Sequence, residues 1–182
     1  MVEDERDVIQ SASGGKAEAF GLLYDHYVTQ IYRFILVKVG GQREEAEDLT
    51  HQVFLQAWHG MRKGRYRDLG LPFSSWLYQI ARNLVIDHYR RTRPTVELDE
   101  ERHDTPVDLG NEARIDTKQQ VAVLLRALEN MKEAERELIL LRFVEDLSVR
   151  ETAAAMGKTE GAIKVMQHRT LAKLKKNIGD ES

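Results

Sequence analysis

No cysteine occurs anywhere in the 182 residues, so disulfides and thiolate metal sites are excluded. Proline and glycine are also scarce, at 3 and 12, and so few turn-formers leave little room for a β-sandwich or barrel. No apolar run approaches the roughly 20 residues that cross a bilayer. The first ten residues, MVEDERDVIQ, are acidic and lack the basic-then-apolar order of a secretory signal. These absences predict an all-α cytoplasmic protein without membrane insertion. The usual catalytic signatures are missing too: there is no glycine-rich phosphate loop and no HExxH zinc pair. Asp87-His88 and His103-Asp104 are adjacent pairs, and neighbours on a helix point about 100° apart, so adjacency makes no dyad. No catalytic residue, metal site or cofactor is assigned, and an enzyme is not expected.

What is present is a chain 42% hydrophobic and 31% charged, long enough for one ordinary domain or two small ones. Its net charge of −3 conceals strong local asymmetry. Glu3 to Asp48 and Glu97 to Asp116 are mainly acidic, whereas Arg62 to Arg67, Arg82 to Arg93 and Lys158 to Lys176 are mainly basic. Phosphate contact is governed by such patches and not by the sum.

Pro72 to Pro94 carries the strongest pattern. As a helix it places Phe73, Trp76, Leu77, Ile80, Ala81, Leu84 and Val85 on one face, the spacing of a buried stripe. The other side is expected to carry Tyr78, Gln79, Arg82, Asn83, Tyr89 and Arg90, followed by Arg91 and Arg93. Rings and guanidinium planes stack on bases while cations neutralise phosphate, so this face suits nucleic acid. Upstream, Ala17 to Val39 reads as a helix ended by Gly40-Gly41. Glu44 to His59 reads as another, with Ala46, Leu49, Val53, Phe54 and Ala57 inward. Its polar residues are either a solvated face or a docking surface. Between it and Pro72 lies GMRKGRYRDLGL, either a plain connection or a basic, glycine-hinged clamp for a strand.

After Pro94 the character changes. Thr95 to Thr117 is acidic, contains Pro106 and Gly110 and has no sustained period, the composition of a flexible linker. It is either solvation or a shield for a basic surface. The helical pattern resumes with Val121, Leu124, Leu125 and Leu128, then Leu138 to Leu141 with Phe143 as a buried helix. Ser148 and Glu151 form a capping box, Gly157 ends a short helix, and Thr159 caps the next, whose inward positions are Ile163, Met166, Thr170, Leu171 and Leu174. Helix, glycine turn, helix is the helix-turn-helix pattern. Its second helix offers Lys164, Val165, Gln167, His168 and Arg169 outward, with Lys173, Lys175 and Lys176 trailing, a set suited to base edges and phosphates. A structural hairpin with a basic face stays open beside DNA binding.

Three blocks in order carry a resemblance. AFGLLYDHYVTQIYRFI with EEAEDLTHQVFLQAW, then FSSWLYQIARNLVIDHYRR, then ALENMKEAERELILLRFVEDLSVRETAAAMGKTEGAIKVMQHRTLAKLKK together resemble an extracytoplasmic-function (ECF) sigma factor of the sigma-70 family. The resemblance implies two small helical domains, 1–94 and 118–182, joined by the acidic linker 95–117. It implies core RNA polymerase as partner, through its β′ clamp and β flap, together with promoter DNA and an anti-sigma factor. By resemblance, Glu47, Asp48, Leu49, Thr50 and Gln52 dock on the polymerase. Arg62, Lys63, Arg65, Tyr66, Arg67, Tyr78, Arg82, Asn83, Asp87, Arg90 and Arg91 fall where the family reads and melts the minus-ten element. Thr159, Lys164, Val165, Gln167, His168, Arg169 and Lys173 fall where it reads the minus-thirty-five element. The usual leucine-proline of the C-terminal domain is Met131-Lys132 here, and a usual isoleucine is Thr152. On the recognition helix, Met166 stands at a commonly basic position and Gln167 at a commonly apolar one. The rivals are a helix-turn-helix regulator with an N-terminal helical sensor and, more remotely, an enzyme.

Overall fold

The computed structural model describes residues 5–92 and 131–179, with side chains to 176. The acidic stretch 95–117 and the stripe Val121, Leu124, Leu125 and Leu128 lie outside the described residues. The chain divides into two compact units, Met1–Thr92 and Arg93–Ser182. Every regular element among the described residues is helical.

In the first unit the long periodic segments form α2 (Ala17–Lys38), α3 (Arg43–Arg62) and α4 (Phe73–Thr92), preceded by α1 (Glu5–Ser13). Leu23, Tyr27, Ile31, Phe34 and Ile35 of α2 meet Ala46, Leu49, Val53, Phe54, Ala57 and Met61 of α3. Phe73, Leu77, Tyr78, Ala81 and Val85 of α4 complete the core. After α2, Gly40 and Gly41 take φ of 66° and 81°, and Gly41 N donates to Leu36 O at 2.8 Å, closing the last turn. Another carbonyl at that end, Lys38 O, accepts from the Tyr89 hydroxyl of α4 at 3.1 Å. α1 has no counterpart among the helices expected from the sequence. Its apolar side is short, only Val8, Ile9 and Ala12, set among acidic and polar residues. Tertiary contact supplies what propensity does not: Ala12 is buried, and the Tyr27 hydroxyl donates to the Glu5 carboxylate.

The α3–α4 crossing depends on Gly60. A Cβ built there would meet Trp76 Cη2 at 3.0 Å and Cζ2 at 3.1 Å. Gly60→Ala gains about 1 kcal/mol of helix propensity, which offsets that squeeze. Gly60→Val adds two methyls against the indole, and a loss of about 1–3 kcal/mol is expected. Urea unfolding should show a lowered midpoint with an unchanged slope.

In the second unit α5 (Glu133–Ile139) runs into a π-turn at Leu140–Val144, followed by α6 (Val149–Met156) and α7 (Glu160–Gly179). Glu135 reaches back to accept from Lys132 N at 3.0 Å. Ser148 Oγ accepts from Glu151 N at 3.2 Å while the Glu151 carboxylate accepts from Ser148 N, the expected capping box. Gly157 ends α6 at φ 63°, and Thr159 Oγ1 accepts from Ala162 N at 3.2 Å, the expected cap of α7. Leu138, Leu141, Leu147, Ala153, Ala155, Met156 and Ile163 form the core. Two expected inward residues are not there. The π-turn winds wider than an α-helix and delivers Phe143 to solvent, 51% exposed. Leu171, one step of about 100° beyond the buried Thr170, faces outward.

Candidate polymerase and nucleic-acid interface

On α3 the structure separates the expected docking set. Glu47, Asp48 and Gln52 are exposed. Leu49 and Thr50 are not at the surface: both are buried, and the Thr50 hydroxyl donates to its own helix at Ala46 O, 2.6 Å away. Leu49 belongs to the inward stripe, and threonine satisfied by the preceding turn is common inside helices. The exposed face gains two residues absent from the sequence expectation, His51 and Leu55, the latter 57% exposed. Beside them lies an apolar groove of about 530 Å³ lined by Phe20, Tyr24, Phe54 and Trp58. The Phe20 ring lies tilted 5.0 Å from that of Trp58, and Tyr24 meets Phe54 edge-on at 4.7 Å. Leu55 falls two positions after Val53 and one after Phe54, out of the inward period, and that displacement is the signal that could have found it.

On α4 the polar stripe is narrower than expected. Gln79, Asn83, Asp87 and Arg90 are exposed and follow one another at i, i+4, i+8 and i+11, with Arg91 also exposed. Gln79 belongs to this row although it was not among the expected minus-ten residues. Arg90 approaches Asp87 at 3.9 Å, a surface pair too exposed to hold either side chain firmly. Arg82 is half-buried. Tyr78 is not on this face at all: it is 1% exposed, with its ring 5.2 Å from that of Phe34. Tyr89, expected on the same face, is half-buried with its hydroxyl on α2. Tyrosine has an apolar body and a polar tip; the core took the body of Tyr78, while Tyr89 is drawn partly inward by its hydroxyl.

The end of α3 and the loop before α4 present Arg62, Lys63, Arg65 and Arg67 to solvent, and the Arg62 guanidinium lies 5.7 Å from the Trp58 ring centre. Gly64 and Gly70 have φ of 66° and 67°, backbone that side chains rarely adopt. Asp68 Oδ1 accepts from Gly70 N at 2.8 Å. Tyr66 is half-buried, its ring 5.4 Å from Phe73 and 5.1 Å from Trp76, and so anchors the loop to α4. Burial, followed by the Asp68 and Glu5 charges, pushes its phenol above the usual tyrosine range, and Arg6 only partly opposes this. The hydroxyl keeps its proton at neutral pH and remains a donor.

On α7, Lys164, Val165, His168 and Arg169 are exposed together. Three other expected contacts have intramolecular duties: Thr159 caps the helix, Gln167 Oε1 accepts from Arg142 Nε at 3.0 Å, and Lys173 Nζ donates to Glu135 Oε1 at 2.7 Å. Partial burial raises the Glu135 carboxyl. Hydrogen bonds from Lys173 and Lys132, with their charges, outweigh that and leave it below the ordinary carboxylate range.

A helical unit with a basic loop beside a polar helix face is followed along the chain by a helix-turn-helix unit. Residues 23–95 match the family model for Sigma-70 region 2, and residues 118–174 match that for Sigma-70, region 4. The chain is 39% identical over 178 residues to the ECF RNA polymerase sigma factor BldN of Streptomyces coelicolor, covering 97% of this chain and 66% of that protein. It is 33% identical over 179 residues to the ECF RNA polymerase sigma factor SigD of Mycobacterium tuberculosis, covering 94% of this chain and 82% of that one. The chain belongs to the ECF RNA polymerase sigma factors of the sigma-70 family. It is therefore a non-enzymatic factor of promoter-specific transcription initiation, and the sensor-regulator and enzyme alternatives fall. Two solved structures share the fold. CnrH in complex with the cytosolic domain of CnrY superposes with a TM-score of 0.71 at 23% identity, covering 98% of this chain and 99% of that one. The sigma factor RpoE in complex with the anti-sigma factor NepR from Bartonella quintana gives 0.63 at 21%, covering 90% and 98%.

Proposed function

We propose that this sigma factor docks on core RNA polymerase through Glu47, Asp48 and Gln52 of α3, opens the minus-ten element with the loop and the outer stripe of α4, and reads the minus-thirty-five duplex with α7. One observation carries the assignment of strand opening. The exposed row Gln79, Asn83, Asp87 and Arg90 lies on the helix to which Tyr66 ties a loop that, with Arg62 at the end of α3, bears four exposed cations. An unstacked base needs hydrogen-bonding groups of this kind, and the displaced strand needs the cations. Amide and carboxylate side chains at Gln79, Asn83 and Asp87 supply donors and acceptors for a base edge. Arg62, Lys63, Arg65 and Arg67 supply positive charge along the phosphates.

The protein works in the cytoplasm beside its polymerase; among the described residues no helix is long and apolar enough to cross a membrane. An anti-sigma partner that covers the α3 face or the two DNA faces completes the proposal. Its support is the family resemblance and the fact that both solved neighbours carry a bound protein, one of them an anti-sigma factor.

Transcription by core RNA polymerase from a library of promoter fragments, with and without the purified protein, tests the proposal. Initiation at a shared set of start sites only when the protein is present is expected, and its absence would overturn the assignment. Asn83→Ala should slow open-complex formation about tenfold, the scale of one lost hydrogen bond to a base, while leaving core affinity unchanged. Permanganate footprinting reads the first quantity and native-gel titration the second; equal losses in both would remove Asn83 from strand opening.

A further inference from the structure

The rotation of α7 about its own axis is set by groups that lie off its reading face. Ile163 and Thr170 are fully buried. Arg142 joins the π-turn to α7 by donating from Nε to Gln167, and its Nη1 donates to Leu147 O. Lys173 is drawn toward α5 by Glu135. At about 100° per residue, these anchors turn Gly161, Lys164, Val165, His168, Arg169 and Ala172 outward, and all six are exposed. Val165 lies near the middle of that surface and is 53% exposed. Lys164 precedes it, and His168 and Arg169 follow one turn later. It is an apolar side chain set among three groups that suit DNA.

The major groove has one apolar feature, the 5-methyl group of thymine; the other base edges there are hydrogen-bond donors and acceptors. Valine has no polar atom to offer those edges. It is also short, so the helix must come close to the groove floor for contact. Gly161, one turn earlier on the same side, helps here: it has no side chain, and a Cβ at that position would have nothing within 4 Å. The flanking cations are then left for phosphates and for guanine or adenine edges.

We propose that Val165 is a specificity-determining residue that reads a thymine methyl in the upstream duplex. This rests on α7 being the major-groove helix and goes further by naming the base feature it selects. Gln167, held by Arg142, is a positioning residue that keeps Val165 centred.

The test uses full-length protein with core RNA polymerase. Promoters with a randomised upstream element are selected by the holoenzyme, and each thymine of the winning sequence, on either strand, is replaced in turn by deoxyuridine. At one position, loss of the methyl should weaken binding about three- to fivefold, the scale of one buried methyl group. Val165→Ser should erase the thymine-over-uracil difference at that position and keep the preferences elsewhere. Its thermal melt should match that of the wild type, since the residue is exposed. If no thymine differs from uracil, or if Val165→Ser discriminates as well as the wild type, the proposal is overturned while duplex reading by α7 survives. If no upstream sequence is selected at all, both fall together.

Discussion

Tyr78→Ala is expected to destabilise the N-terminal unit by about 3–5 kcal/mol, a large fraction of the stability of an ordinary domain. The side chain is 1% exposed, and its ring meets the edge of Phe34, which is fully buried between α2 and its neighbours. Removing the ring leaves a cavity where α2 and α4 meet, and helices already packed from both sides collapse only partly into such a space. Tyr78→Phe keeps the ring and should lose no more than about 1 kcal/mol, the net worth of one hydroxyl hydrogen bond. It should also open promoters as the wild type does. Thermal melting and urea titration of both variants decide the matter. An alanine variant that melts normally yet fails in strand opening would return Tyr78 to the DNA face.

Tyr78 also shows where sequence reasoning fails on this chain. The existence of α2, α3, α4 and the helix-turn-helix was legible because each carries an apolar stripe or an explicit stop signal. Gly40-Gly41, the Ser148–Glu151 box and Gly157 mark backbone events that need those residue types, and the structure uses each of them. The rotation of a helix about its axis was harder. Tyr78 and Tyr89 read as polar in a pattern of arginines and asparagines, yet their rings hold most of their surface. Packing against α2 outweighs exposure, and the polar row contracts onto Gln79, Asn83, Asp87 and Arg90. α1 was passed over because its apolar side is only Val8, Ile9 and Ala12 within an acidic stretch, and it packs on α2 and α3. Phe143 was misplaced because a π-turn breaks the spacing on which the stripe was counted. Gln167 and Lys173 were read as free for DNA because no local pattern announces Arg142, 25 residues away, or Glu135, 38 residues away.

The same distinction between face and stripe bears on the proposed polymerase-docking surface. Asp48→Arg is expected to weaken core polymerase binding about 30- to 100-fold, since like charges brought together at an interface cost several kcal/mol. Asp48 is exposed with Glu47 and Gln52, and Leu55 lies close by on the same side of α3. An acidic rim around an apolar point beside an aromatic groove combines charge steering with a buried anchor. Because the rim is solvated, the defect should shrink as ionic strength rises and the Debye length shortens. The substitution should leave the melting curve almost unchanged, as exposed positions usually shift stability by less than about 0.5 kcal/mol. Thr50→Val supplies the contrast. Its hydroxyl is already spent on Ala46 O inside the core, so core affinity should stay at the wild-type value even if stability falls. Native-gel or interferometry titration of core polymerase at two salt concentrations reads all of these. Unchanged affinity for Asp48→Arg, or a defect of the same size for Thr50→Val, would move the docking surface off this face of α3.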